Sequence, residues 1–234
     1  MQTLETATPL VIFGVSNILS DLFDAALSAG LIPTKIVIHH PEEVGPRDLP
    51  LSQRLQQLAS ICPIPEVLQL EDFVPMAGEK YLLGPTTPTR RNLADLLETR
   101  WGLRFHTLIH RTAYVSSLAN LEDGVFVGAN SVIAPGTTLH RHVFVNRGVT
   151  IGHDNIIGAF SRIQPGAHLG GLSVLGEAVT VGLGATLVER LRIGNDVIIA
   201  GGAVVLKDIP DAVMVAGVPA TIRKHLSNSS LLHK

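Results

Sequence analysis

Every sixth residue from Ile109 to Val205 is isoleucine, leucine or valine, seventeen positions in succession. No other feature of the chain restricts its fold as tightly. An α-helix turns by about 100° per residue, so a step of six would scatter these side chains around its circumference. A short extended segment followed by a corner, repeated every six residues, keeps them all on one side. The residue four places after each aliphatic position is restricted too. It is Ala, Ser, Thr or Val in fourteen of the seventeen repeats, the exceptions being Asn155, Leu191 and Ile209. Three segments close a triangular coil of eighteen residues, and stacked coils make a parallel β-helix with a rise of about 4.8 Å per coil. The repeats predict five to six coils over residues 109–210.

Composition follows from this geometry. Only 4% of the chain is aromatic, and sixteen of the 22 glycines fall after residue 108. A thin triangular interior admits aliphatic and small side chains and excludes rings. Its corners are expected to recruit Gly and Asn for positive φ. Glycine often follows the aliphatic residue directly, as at Gly128, Gly152, Gly158, Gly176, Gly182 and Gly194. A solenoid cannot leave both ends bare. Pro210 and the residues after it are expected to cap one end, and the N-terminal half the other.

That N-terminal half, residues 1–108, reads as a small Rossmann-like α/β domain. Strands are predicted at Pro9–Gly14, Lys35–His39 and Tyr81–Gly84, and helices at Asn17–Gly30, Leu51–Ala59 and Pro88–Trp101. Alternating strands and helices imply a parallel sheet covered on both faces. Ligands of such sheets bind at the carboxyl ends of the strands. Here those ends carry Gly14, Ser16 and Asn17, then His39 and His40, then Gly84. Residues 109–220 form the β-helix domain and 221–234 a C-terminal tail.

The remaining bulk properties exclude several functions. Net charge is −2 with no basic patch, which argues against a nucleic-acid binder. Cys62 is the single cysteine, so neither an internal disulfide nor a cysteine zinc site is expected, in keeping with a cytoplasmic location. Asp21 and Asp24 interrupt the one apolar stretch near the N-terminus, so neither a signal peptide nor a membrane span is read there.

Among the ten histidines, His153 stands out. It is the second residue after Ile151, which points it outward at a corner, and Asp154 follows it. A neighbouring carboxylate fixes the imidazole tautomer and stabilises the imidazolium, as in catalytic dyads. The plain alternative is a surface histidine beside a corner aspartate.

The order of motifs resembles the sugar acyltransferases of the hexapeptide-repeat type, the sialic acid O-acetyltransferases and bacillosamine N-acetyltransferases. It runs from the Gly14 turn through Tyr81-Leu82-Leu83-Gly84 with Arg90 and Arg91, and Leu108-Ile109-His110. It continues through His153-Asp154, Gly158-Ala159-Phe160-Ser161, Pro165-Gly166-Ala167 and Leu169-Gly170-Gly171 to Gly217-Val218-Pro219-Ala220. The resemblance implies a left-handed β-helix, a homotrimer, and acetyl-CoA as acyl donor in the groove between two subunits, with no metal. It implies His153 as general base and Asp154 as its acidic partner. Gly171, Gly182, Leu183 and Gly201 would meet the pantetheine arm. Lys207, Arg223 and Lys224 are candidates for the coenzyme A phosphates, with ordinary solvated surface charge as the favoured alternative. A sugar or nucleotide-sugar acceptor would sit against Gly14, Ser16, Asn17, His39 and Gly84. Some relatives carry a second histidine nine residues after the catalytic one. Arg162 stands there in this chain and becomes a candidate donor to the oxyanion or acceptor. The first turn keeps only the first glycine of the relatives' pattern, and His39 and His40 replace acidic residues common after the second strand. Two other readings remain open at this stage. One is a non-catalytic scaffolding trimer. The other is a metal-dependent hydrase like the β-helical carbonic anhydrases, using His140 and His142 with His153 or His168.

Overall fold

The structure, a computed structural model, describes residues 8–42 and 44–226. The expected tail lies outside the described residues from 227 onward. The N-terminal part is a four-stranded parallel sheet of order β3-β2-β1-β4, built from β1 (Thr8–Phe13), β2 (Leu31–Ile38), β3 (Glu66–Gln69) and β4 (Lys80–Leu83). Helix α1 (Leu19–Ser28) follows β1, α2 (Leu51–Leu58) precedes β3, and α3 (Arg90–Trp101) follows β4. Alternation along β1 assigns the two faces. Leu10 and Ile12 pack with α1 and α2, while Val11 and Phe13 pack with α3, Phe73 and Tyr81.

Two sequence expectations need correction here. Strand β2 starts at Leu31 rather than Lys35, because Leu31, Ile32 and Pro33 pair with Thr8, Pro9 and Leu10 before a bulge at Leu10/Val11. Strand β3 was not expected at all. It is an edge strand with exposed Glu66 and Val67, so it shows no buried alternation to read.

From Leu108 the chain folds as predicted into seventeen two-residue strands, each ending on the aliphatic position of the repeat, from Leu108–Ile109 to Val204–Val205. The strands from Leu108–Ile109 to Thr186–Leu187 each pair in parallel with the one eighteen residues on, as in Phe126↔Phe144↔Arg162 and Val132↔Thr150↔His168. Three sheets result. The first face holds Phe126, Phe144 and Arg162, the second Val132, Thr150 and His168, and the third Thr138, Ile156 and Val174. Inward aliphatic residues and the fourth-position residues fill one continuous core. Buried hydroxyls in that core bond to backbone carbonyls of the next turn, as Ser131 Oγ donates to Asn146 O at 2.7 Å, so the core carries polar atoms at little cost.

The corner residues depart from expectation. Positive φ recurs every six residues, and it falls on His142, Asp154, Phe160, Leu172 and Arg190 as well as on glycine. A backbone hydrogen bond to the preceding coil holds each such corner, for example Asp154 N to Pro135 O at 3.0 Å. The glycines directly after the aliphatic positions serve another need. A Cβ on Gly158 would meet the Gly176 backbone, so the coils approach too closely there for any side chain.

The N-terminal sheet sits on the first face. Phe126 and Phe144 stack at 4.6 Å and join the core that contains α1 and α2. Helix α1 lies along the corner between the first and second faces, with Asp21 2.9 Å from Arg147. Helix α3 lies along the other edge, where Arg141 faces Asp95 and Glu98. The strongest tie is Arg90, 4% exposed. It donates to the carbonyls of Thr86, Thr87, His142 and Ser161. Burial, with Arg162 and Arg91 nearby, pulls its pKa down to about 9. The tie therefore stays charged at neutral pH.

His142 at this seam is 3% exposed, stacked on Phe160 and edge-on to Phe105. Burial, then Arg90 and Arg141, push its pKa down from 6.5 to about 3. The folded chain thus keeps His142 neutral where the unfolded chain would protonate it. Its contribution is full above pH 6.5 and is lost progressively as pH falls towards 3. Below pH 6.5 stability should fall by about 1 kcal/mol per unit from this group. Chemical denaturation of His142→Phe across that range should show a shallower acid slope than the wild type.

Candidate functional site

His153 and Asp154 occupy the corner between the second and third faces, after Thr150–Ile151 and before Ile156–Ile157. Positive φ at Asp154 (55°) turns its side chain back along the corner. Its Oδ2 lies 2.7 Å from His153 Nδ1. A carboxylate can only accept, so Nδ1 carries a proton, and in the neutral ring the lone pair is on Nε2. Both side chains are more than half exposed, so Nε2 is open to a reactant.

Two glycines make the notch that holds this pair. A Cβ on Gly171, one coil further on, would stand 2.8 Å from His153 Nε2. A Cβ on Gly136, one coil earlier, would run into the Asp154 carboxylate, and Gly136 also has φ +74°. Gly171, the pantetheine contact that the resemblance implies, thus has the His153 imidazole beside it. Gly136 was missed, although its signal was available: it stands eighteen residues before Asp154, one full coil.

The other candidate donor contacts lie on a different corner. Gly182, Leu183 and Gly201 belong to turns between the first and second faces. A Cβ on Gly182 would stand 2.5 Å from Gly201 N, and Leu183 is 61% exposed. Bare backbone and one projecting apolar side chain therefore line that corner. Arg162 lies on the first face, away from the His153 corner. Its Nε donates to Thr180 Oγ1 at 3.0 Å, and burial lowers its pKa. Within one chain Arg162 and His153 are not brought together. Arg223 and Lys224 are exposed on the closing strand Thr221–His225, and Lys207 is exposed as well.

Three of the five candidate acceptor residues line one cleft. Ser16, Asn17 and His39 line a cleft of about 420 Å³ at the carboxyl ends of β1 and β2, together with His40, Asp48 and Arg54. Gly14 and Gly84 do not line it; they lie against each other beside its wall residues His39 and Pro85. A Cβ on Gly84 would strike Gly14 O, and one on Gly14 would stand 2.8 Å from His39 Cε1. Ser16 Oγ donates to Gly84 O at 2.7 Å, and Asn17 Nδ2 to Asp48 Oδ1 at 2.9 Å. His39 Nδ1 is buried without a hydrogen-bond partner. Burial and the adjacent His40 lower the His39 pKa, which favours a neutral ring at pH 7. Asp48 and Arg54 come from residues that carried no sequence signal for a site.

The histidine set considered for a metal is dispersed. His140 Nδ1 is 2.8 Å from Glu122, His168 Nδ1 is 2.8 Å from Thr150 Oγ1, and His142 is buried. Aromatic stacking at the seam draws it inward. Among the described residues no group of three or more His, Cys, Asp or Glu side chains could hold a metal ion. Nor, among them, is any helix long and apolar enough to cross a membrane.

Comparison with known proteins agrees with this architecture. The acetyltransferase domain of PglB from Neisseria gonorrhoeae superposes with a TM-score of 0.77 at 27% identity, covering 92% of this chain and all of that one. The same domain has been solved with acetyl coenzyme A. A histidine variant of perosamine N-acetyltransferase from Caulobacter crescentus, in complex with CoA and GDP-perosamine, gives a TM-score of 0.77 at 24% identity. It covers 92% of this chain and 97% of that one. The chain resembles these solved acetyltransferases in fold along nearly its whole length. Sequence matches to curated proteins are shorter. The serine acetyltransferase of Buchnera aphidicola subsp. Schizaphis graminum is 40% identical over 57 residues, 24% of this chain. The match spans only 22% of that relative's own length. No family model matches the chain.

The notch makes a direct prediction. Gly171 has no positive φ, so Gly171→Ala should move the thermal midpoint by no more than about 4 °C. The added Cβ should nonetheless push the imidazole off Asp154, which a crystal structure of the variant would reveal.

Proposed function

We propose that the protein transfers an acetyl group from acetyl-CoA to a hydroxyl or amine of a sugar or nucleotide sugar. The observation that carries this reading is the His153–Asp154 pair, an imidazole with its Nε2 free and its Nδ1 bonded to a carboxylate on an exposed corner. The similarity of fold to acetyltransferases solved with acetyl coenzyme A, and with CoA and GDP-perosamine, supports the choice of donor and acceptor class.

In this reading His153 Nε2 removes the proton as the acceptor oxygen or nitrogen attacks the thioester carbonyl. Asp154 stabilises the resulting imidazolium. The tetrahedral intermediate collapses with cleavage of the C–S bond, and the imidazolium returns its proton to the departing thiolate. Thioester activation already resides in the donor, so the step needs no metal. Backbone amides of the glycine-bearing turns hold the pantetheine arm. The cleft of Ser16, Asn17 and His39 in the 1–108 domain holds the acceptor, and the 109–220 β-helix supplies the base.

One geometric fact favours a homotrimer. The N-terminal sheet covers the first face, whereas His153 stands on the corner opposite that face. In this reading the cleft of one subunit meets the His153 of a neighbour across a subunit boundary. No segment of the reading requires a membrane, and a cytoplasmic location suits a CoA-dependent enzyme.

Incubation with acetyl-CoA and a panel of amino- and hydroxy-sugar nucleotides, followed by assay of free thiol, tests the proposal. His153→Ala should lower turnover by about 10²–10⁴-fold while calorimetry still detects CoA binding. Near-wild-type turnover in that variant would exclude the mechanism. Absence of CoA binding at millimolar ligand would favour the scaffolding trimer instead.

A further inference from the structure

Asn155 is the one amide among the fourth-position residues of the repeats. Its side chain points into the core and is 0% exposed. At the equivalent place in other coils a hydroxyl makes two contacts. Ser131 Oγ donates to Asn146 O, fifteen residues on, and accepts from Val149 N, eighteen residues on. Ser161 repeats this with Gly176 O and Val179 N. Asn155 makes the same pair, donating to Gly170 O at 3.0 Å and accepting from Ser173 N at 2.9 Å. It then adds a third contact that no hydroxyl in the series makes. Its Nδ2 donates to Gly152 O at 2.7 Å, the carbonyl directly before His153. That carbonyl also accepts from Thr137 Oγ1 at 2.8 Å, so both of its lone pairs are used.

The partners of Asn155 are the neighbours of the notch. Thr137 follows Gly136, which makes room for the Asp154 carboxylate. Gly170 precedes Gly171, which makes room for the His153 ring. A buried polar ladder, Thr137 to Gly152 O to Asn155 to Gly170 O, therefore runs behind the dyad and ties three successive turns together. We infer that Asn155 is a positioning residue: it clamps the turn that carries His153 to the turn that carries Gly171, and so holds the imidazole in line with Asp154 and with the reactants. The inference rests on the acetyltransferase reading for its catalytic consequence, and on the hydrogen bonds alone for its mechanical one. Geometry of this kind governs rate because misplacement by a fraction of an ångström to one ångström removes much of the benefit of preorganisation.

Asn155→Ser separates the two roles. Serine can keep the contacts to Gly170 O and Ser173 N, as it does elsewhere in the helix, but cannot also reach Gly152 O. The variant should fold with a cooperative thermal transition. Its kcat should fall at least about tenfold, with KM for acetyl-CoA within about twofold of wild type. Hydrogen exchange should quicken at the Asp154 and Leu172 amides, which bond Pro135 O and His153 O, and stay unchanged at Ser173. Unchanged kcat with unchanged exchange at Asp154 and Leu172 would overturn the inference. So would a uniform loss of protection that includes Ser173, which would mark a merely structural residue. If the wild type releases no thiol with any acceptor, the proposed function fails, and the exchange pattern alone then decides the positioning role.

Discussion

The repeating contact between residues eighteen apart is what the rest of the molecule depends on. Each two-residue strand of the inner coils bonds to its equivalents in the coils before and after, and the inward aliphatic side chains sit in line with those neighbours. The spacing of stacked strands is fixed by backbone hydrogen bonding at about 4.8 Å. Consequently a corner residue has defined neighbours at −18 and +18, and nothing in between. Glycine appears where those neighbours come too close, at Gly158 against Gly176 and at Gly171 against His153. The site is thus a local variation in a regular lattice: one corner where two flanking coils have given up side chains so that an imidazole and a carboxylate can lie side by side.

The N-terminal sheet uses the same lattice differently. It buries Phe126 and Phe144, two of the few rings of the β-helix, which point outward because the thin interior cannot hold them. On the other side of the sheet, Arg90 and Phe160 bind α3 to the opposite edge of that face. A guanidinium is removed from water there without a carboxylate, and four carbonyls replace its hydration. Docking on one face leaves the other two free, with apolar side chains such as Val132, Ile156 and Val174 exposed along them. The cleft at the strand ends and the His153–Asp154 pair consequently belong to different sides of the prism.

Much of this was legible in the sequence. The seventeen aliphatic positions, the coil length and the outward direction of His153 all follow from a period of six, because each inward position is set by local geometry repeated without interruption. Ser16, Asn17 and His39 could be placed in one cleft because parallel sheets gather the carboxyl ends of their strands. Features that depend on contact between distant segments were not legible. Strand β3 lacks an alternation because one of its edges has no partner. His142 looks like a surface residue by period, yet rings from two other segments, Phe105 and Phe160, enclose it. Arg162 is adjacent to the site in motif order and on another face in space.

The chain's sequence by itself determined the solenoid, its register and the pairing of His153 with Asp154, since each depends on residues six, eighteen or one apart along a regular path. The tertiary structure alone decided which face the N-terminal sheet would cover, which glycines clear space for the dyad, and that Asn155 grips the carbonyl before His153. Those outcomes turn on distances between atoms of different coils and different domains, which no period along the chain encodes.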